Sequence, residues 1–163
     1  MQTVIFTVAP PGAGKTTFAQ SLVAQGFLAI SFDDIRKMIA GSKRAYWARV
    51  FGGEPELKLA MHVAHATSFG ALLGTGKNIV VHNTGARIDA FQAEWDKAHE
   101  VGAHVAIRTF EDVHEGVLLA RNETRPEDDR VPLDFLTRTI DDINAPDAWW
   151  RSVPDHLVIK GRY

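Results

Sequence analysis

The chain contains no cysteine. Disulfides and thiolate metal sites are therefore excluded, and the composition suits a reducing cytosol. It has no run of 18 apolar residues, so nothing reads as a membrane span. Met1-Gln2 leads straight into an apolar β-branched run rather than into a secretory signal pattern. An excess of one charge is missing too: 18 Lys and Arg stand against 20 Asp and Glu, a net −2. That balance argues against a protein that coats nucleic acid through bulk charge, and leaves room for a local basic site at one strand end. Internal repeats and low-complexity segments are absent. What remains is 163 residues, 45% hydrophobic and 23% charged. That is the size and composition of a globular chain with a core, read as one domain over 1–163.

The strongest local signal is Ala9 to Thr17, APPGAGKTT. It follows Thr3 to Val8, TVIFTV, which reads as a buried strand, and precedes FAQSLVAQ, which has helical spacing. A strand, a Gly-rich turn and a helix opening on Lys-Thr form the P-loop arrangement, here with Ala9 in the first position of GxxxxGK[ST]. Gly12 and Gly14 lack Cβ, so the chain can curl its N–H groups around a phosphate. The helix starting near Lys15 aims free N–H groups and a positive dipole end at the same anion. Lys15 can reach the β- and γ-phosphates of a nucleotide, and the Thr16 hydroxyl is placed to ligate Mg²⁺. A Gly-rich turn without a ligand would need neither residue. The expected nucleotide contacts are Pro11, Gly12, Ala13, Gly14, Lys15, Thr16 and Thr17.

Downstream, Phe27 to Ser31 reads as a second strand, and Asp33 and Asp34 open a short helix after it. Arg36 lies three residues beyond Asp33, so both can face one side. Asp33 is read either as a helix N-cap or as a group facing the phosphates, since strand ends beside the loop face them in open α/β sheets. Residues 41–53 read as a loop or partly helical excursion. Lys43, Arg44 and Arg49 there interleave with Tyr46, Trp47 and Phe51, a mixture that suits phosphate contacts with base stacking, or aromatic docking on the core.

Glu54 to Leu73 has helical periodicity, with Leu57, Ala60, Met61, Ala64, Thr67, Ala71 and Leu72 as the expected buried face. His62 and His65 on it lack a third ligand and nearby carboxylates, so they read as surface or packing histidines rather than a metal pair. Asn78 to Gly85 reads as strand three, with His82, Asn83 and Thr84 at its carboxyl edge. A helix is expected over 87–101, strand four over His104 to Phe110 and a helix over 112–122. Ala120 to Arg130 reads as a mobile lid loop, in which Arg121 and Arg125 share a side. A helix is expected from Val131-Pro132 to Ile143, Trp149 and Trp150 at an edge, and strand five over 156–160.

With these motifs the chain resembles the kinase domain of phage polynucleotide 5′-kinases, within the P-loop kinase superfamily. PGAGKTTFA is similar to that family's P-loop, FDDIRKMI to its segment after strand two, and RNETR with VPLDFL to its lid and post-lid helix. The resemblance covers most of the chain. It implies an α/β three-layer sandwich with a five-stranded parallel sheet in the order 2-3-1-4-5 and an Arg-bearing lid at about 121–131. It also implies transfer of the γ-phosphate of ATP, or another NTP, with Mg²⁺, to 5′-hydroxyl ends of DNA or RNA, in nucleic-acid end repair in the cytoplasm, the host's if the chain is phage-encoded. Asp33 would be the general base, Arg36 would contact the acceptor-side phosphate, Arg125 would brace the donor phosphates and Arg121 would lie near the donor base or lid. His82-Asn83-Thr84 stands where the family commonly has an Asp-Thr-Asn type of turn. No phosphatase domain is expected after Tyr163.

Phosphoryl transfer needs held phosphates, neutralised charge, a positioned acceptor and excluded water. Lys15, Thr16 with Mg²⁺, Asp33 and the lid arginines fill those parts. A small-molecule kinase acting on a nucleoside, sugar or antibiotic-like alcohol would use the same set. A non-catalytic NTP-binding module would not need Asp33 or the paired arginines. A motor ATPase would need a strand ending in acidic residues, whereas strand three ends in His82.

Overall fold

The structure is a computed structural model and describes residues 1–110 and 114–159. Its centre is β1 (Thr3–Val8), whose alternate side chains enter two separate cores. Val4, Phe6 and Val8 face one side of the sheet and Ile5 the other, which is why the run is apolar throughout rather than alternating. β2 (Leu28–Ile30), β3 (Ile79–Val81), β4 (His104–Phe110) and β5 (His156–Ile159) complete a five-stranded, all-parallel sheet. The strand order is β2-β3-β1-β4-β5, as expected from the resemblance. Parallel strands place all five carboxyl ends along one edge, and the P-loop leaves β1 there.

One face of the sheet is covered by α1 (Lys15–Val23), through Phe18 and Ala19 against Ile5, Val80 and Ala106. The other face carries α2 (Phe32–Ala40), α3 (Lys43–Phe51), α4 (Glu56–Leu73), α5 (Gln92–Glu100) and α7 (Leu133–Asn144). α6 (Glu115–Glu123) contributes Leu118 to a small cluster under the P-loop with Ala9 and Ala13. The segment expected to be a loop or partly helical at 41–53 is helix α3, capped by Ser42, whose Oγ accepts from Ala45 N–H at 3.0 Å.

Two helices differ from expectation. In α4 the buried stripe is Met61, His65, Phe69 and Leu73, a pure i+4 row, while Ala60, Thr67 and Ala71 are exposed. The large side chains fill the core and the small ones drift to its rim. The helix expected over 87–101 is broken at Phe91, whose φ of −142° separates a 3₁₀ turn at Ile88–Ala90 from α5. The Phe91 ring stacks on Phe6 with centroids 5.2 Å apart, and that core contact overrides helical continuity. Of the expected helix over 112–122 and strand over 156–160, residues 112, 113 and 160 lie outside the described residues.

Beyond β3 the chain crosses the end of β1. Ala9 N–H donates to Thr84 O at 2.9 Å and Thr7 Oγ1 to Asn83 O at 2.8 Å. Gly85 closes this crossing at φ +70°, and a Cβ there would overlap the Thr7 carbonyl oxygen. Trp149 Nε1 donates to Gly85 O at 2.9 Å, so it anchors this turn, while Trp150 is buried and donates to Ile143 O.

Candidate active site

The P-loop takes the shape its glycines permit. Gly12 and Gly14 have φ of +91° and +103°, conformations an L side chain rarely adopts. Pro11 and Ala13 are buried beneath the loop, whereas Thr16 and Thr17 are exposed on the first turn of α1. Lys15 folds back and donates to the carbonyl oxygens of Ala9 and Pro10, both at 2.8 Å. Burial pushes its ammonium down to about 7; Asp33 opposes that, and Arg125 and Lys43 add to it. A lysine held among cations is a group waiting for an anion.

Arg121 on α6 donates from Nη1 to Gly12 O at 2.7 Å, and Arg125 also lies over Gly12. The base of the lid is pinned by buried Asn122, which donates to Val131 O at 2.8 Å and accepts from Val131 N–H at 3.0 Å. The lid residues between them include a 3₁₀ turn, Glu127–Asp129.

On the β2–β3 side stands Asp33. The N-cap of α2 is Ser31: its Oγ accepts from Asp34 N–H at 3.2 Å and donates to Asp34 Oδ2 at 2.6 Å. Asp33 is thereby freed from the capping role the sequence left open for it. Its carboxylate meets Arg36 Nη1 at 2.7 Å and Lys43 Nζ at 3.2 Å. Burial pushes the carboxyl up, but Lys43 and Arg36 outweigh it and hold it below the ordinary carboxylate range. Arg36 is in turn held in an aromatic cage, its Cζ 5.0 Å from the Trp47 ring centroid and 5.8 Å from those of Tyr46 and Phe32. Its buried Nε has no hydrogen-bond partner among the described residues.

Lys43 also pairs with Asp129 at 3.2 Å, Lys37 lies 3.8 Å from the same carboxylate, and Arg44 pairs with Glu127. The acidic lid turn thus rests on the cations of α2 and α3. Within α3, Tyr46 docks into the core, whereas Phe51 is 77% exposed. Trp47 and Phe51 stack with centroids 5.7 Å apart, and Lys58 lies over Phe51. His82 reaches Asp34 Oδ2 at 3.4 Å, and that bond together with Ser31 outweighs burial to lower the Asp34 carboxyl.

No group of three or more His, Asp or Glu among the described residues could hold a metal. An ion here would therefore come with phosphates and take one hydroxyl from the protein, which is how Mg²⁺ is held beside a P-loop; the exposed Thr16 fits. On the far side of the loop, a cavity of about 490 Å³ is walled by Pro10, Thr109, Ile140, Asn144 and Trp150 among others, with Arg151 its one charged lining residue.

Sequence reading missed four things: Lys43 between two carboxylates, the Ser31–Asp34 cap, the His82–Asp34 pair, and a buried Glu94–His65–Asn83 chain. The first two have partial signals in the Ser-x-x-Asp spacing and in the basic excursion. The other two join residues 29 and 18 positions apart, or farther, and leave no local mark.

Sheet order, P-loop and Arg-bearing lid define the P-loop kinase fold. A family model described as an AAA domain matches residues 4–146, and the chain belongs to that family. Shikimate kinase from Acinetobacter baumannii in complex with shikimate superposes with a TM-score of 0.63 at 16% identity, over 100% of this chain and 86% of that one. The Deinococcus radiodurans tunicamycin resistance protein gives 0.60 at 14%, over 97% and 86%. A chain in the structure of the Pnkp1/Rnl/Hen1 complex gives 0.56 at 20%, over 81% of this chain and 41% of its own length. At these identities the likeness is one of fold. No curated protein sequence matches.

Proposed function

We propose that this chain is a phosphotransferase that moves the γ-phosphate of ATP, or another NTP, with Mg²⁺, to the 5′-hydroxyl end of DNA or RNA. The observation that carries the reading is Asp33. Its ionised carboxylate, held by Arg36 and Lys43 at the carboxyl edge of β2, is close enough to Lys15 to oppose the lowering of its pKa.

Lys15, the loop amides and Arg125 hold the donor phosphates, and Thr16 would give its hydroxyl to Mg²⁺, which neutralises phosphate charge. The wall of the cavity beyond the loop, uncharged apart from Arg151, suits the donor's base. Asp33 orients the acceptor hydroxyl. The acceptor oxygen bonds to the γ-phosphorus, the bond from that phosphorus to the bridging oxygen breaks, ADP leaves, and the hydroxyl proton passes to Asp33. A carboxylate with a lowered pKa suffices, because the proton departs late in a loose transition state.

Nucleic acid is favoured as acceptor by α3. Its cations lie beside exposed Phe51, which stacks on half-buried Trp47, a surface for phosphates and a base. The likeness to a chain of the Pnkp1/Rnl/Hen1 complex agrees with that assignment. A small-molecule hydroxyl is the second reading, and the lid's rest on Lys43 and Arg44, which narrows the acceptor side, favours it. The deciding experiment is transfer from γ-labelled ATP to a panel of 5′-hydroxyl oligonucleotides and small alcohols. Label in the alcohols and none in the oligonucleotides would select the second reading.

A further inference from the structure

Glu94 and His65 take no part in the chemistry above, yet both are buried in the core, at 3% and 0% exposure. Glu94 Oε1 on α5 lies 2.5 Å from His65 Nδ1 on α4. The other ring nitrogen, Nε2, lies 3.3 Å from Asn83 Nδ2 just beyond β3. Asn83 Oδ1 accepts from the backbone N–H of Phe32 at 2.7 Å. Phe32 is the first residue of α2, and Asp33 is the next.

The polarity of this chain follows link by link. A backbone N–H only donates, so the Asn83 atom facing Phe32 is the carbonyl oxygen. The amide nitrogen then faces His65, and it too only donates. His65 Nε2 must accept, so it carries no proton. The single proton of the neutral imidazole is on Nδ1 and is donated to Glu94. Each donor and acceptor is set by the one before it, and the last is an accepting carboxyl oxygen inside an apolar cluster.

A buried carboxylate is costly, and an apolar side chain of the same size would pack this position without the cost. What Glu94 adds is a fixed tautomer. Without it the His65 proton is free to sit on Nε2, where it meets the Asn83 amide donor head-on. If Asn83 then turns its amide over, it satisfies His65 but aims N–H groups at the Phe32 N–H. In either arrangement one buried pair fails next to the start of α2.

We propose that Glu94 is a positioning residue for Asp33, acting through His65 and Asn83 to hold the first amide of α2. The proposal rests on the reading of Asp33 as the group that orients the acceptor hydroxyl. The Phe32 ring, with its centroid 4.2 Å from that of His65, packs on the same histidine. Side chain and main chain of the residue before Asp33 are therefore both held by this chain.

The test compares Glu94→Leu with Glu94→Gln. Glutamine keeps an oxygen that can accept from His65 Nδ1; leucine keeps only the bulk. Displacement of a reacting group by about 1 Å costs on the order of 10²-fold in rate. Glu94→Leu is therefore expected to lower kcat by roughly 10- to 100-fold with KM for ATP within about twofold, and to speed amide hydrogen exchange at Phe32. Glu94→Gln should stay within about threefold of wild type in both. A folded Glu94→Leu with wild-type kcat and unchanged Phe32 exchange overturns the proposal, as does equal loss in the two variants. Should Glu94→Leu not fold, His65→Phe keeps the ring volume and leaves Asn83 without its acceptor, and the same two readouts decide. If the wild type phosphorylates no hydroxyl offered, the reading of Asp33 falls, while Phe32 exchange still decides whether Glu94 holds α2.

Discussion

Lys43 holds Asp33 across 3.2 Å, and the same ammonium meets Asp129 of the lid at an equal distance. One cation thus links the carboxylate proposed to orient the acceptor to the lid turn. Its side chain is only 15% exposed, while Asp33 and Asp129 are 48% and 38% exposed, so the link is shielded from solvent on the lysine's side alone.

Asp33 and Asp34 separate under substitution. Ser31 caps α2, so Asp33→Asn keeps that cap and loses only the half-exposed pairs with Arg36 and Lys43: the thermal midpoint should fall slightly and ATP affinity stay near wild type, while transfer falls by ~10²–10⁴-fold, the usual worth of a general base. Asp34→Asn loses the charged partner of Ser31 and His82 and should lower stability by about 0.5–1 kcal/mol with transfer largely kept. Activity, midpoint and ATP titration on the same samples check this; a larger activity loss in Asp34→Asn moves the base.

Lys15→Ala should lower transfer by ~10²–10³-fold in a folded protein. Its lowered pKa adds a proton signature. The unfolded chain holds the Lys15 proton more tightly than the native one, so this group makes the unliganded protein more stable as pH rises from about 7 towards the ordinary lysine value. Phosphates beside the amine reverse the shift, so ATP binding at pH 8 should take up a fraction of a proton. Calorimetry in two buffers of different ionisation enthalpy reads it, and no buffer dependence would count against the assignment.

Arg125→Ala should reduce kcat more than it raises KM for ATP, since charge on the transferring group peaks in the transition state. The loss is expected to approach ~10³-fold, the lower end for arginine fingers. Arg121→Ala instead removes the 2.7 Å bond to the Gly12 carbonyl and should weaken ATP binding first. Steady-state kinetics on both variants separates the roles; an effect of Arg125→Ala confined to KM makes it a binding contact.

The lid carboxylates lie on the cations that a polyanion would use. The double variant Glu127→Gln, Asp129→Asn should lower KM for a 5′-hydroxyl oligonucleotide about two- to tenfold, with KM for ATP unchanged, since exposed ion pairs are worth up to about 1 kcal/mol each. A neutral small acceptor should gain nothing. An unchanged oligonucleotide KM removes Lys43 and Arg44 from the acceptor contacts.

Local physics wrote most of the fold into the sequence. β1 has the bounds its apolar run implies, because a buried parallel strand needs continuous hydrophobicity; β4 also has its expected bounds, although it opens on exposed His104 and includes Arg108. The P-loop was legible because its glycines and Lys-Thr serve one ligand. The α4 face and the break at Phe91 were not, because each is decided by what packs against it: Phe69 and Leu73 against the sheet, Phe91 against Phe6. At the site, Asp33 and Arg36 announced themselves by spacing, but their partner Lys43 comes from the next helix. For Asn83, which holds α2, the sequence shows a place at the carboxyl edge of strand three and no partner, because its amide contacts lie 51 and 18 residues away.

Ser31 to Lys58 supplies Asp33, Arg36, Lys43, Trp47 and Phe51 in one uninterrupted stretch, while the nucleotide side is drawn from 9–17 and 121–130. Heritable change can therefore reach that stretch without touching residues 9–17, and the two halves meet where the lid rests on Lys43 and Arg44. Replacing α3 would exchange the residues proposed to meet the acceptor and leave the P-loop's bonds to Thr84 and Arg121 in place. On the proposed function, a lineage built on this frame could change its acceptor through α3 while the P-loop keeps its shape.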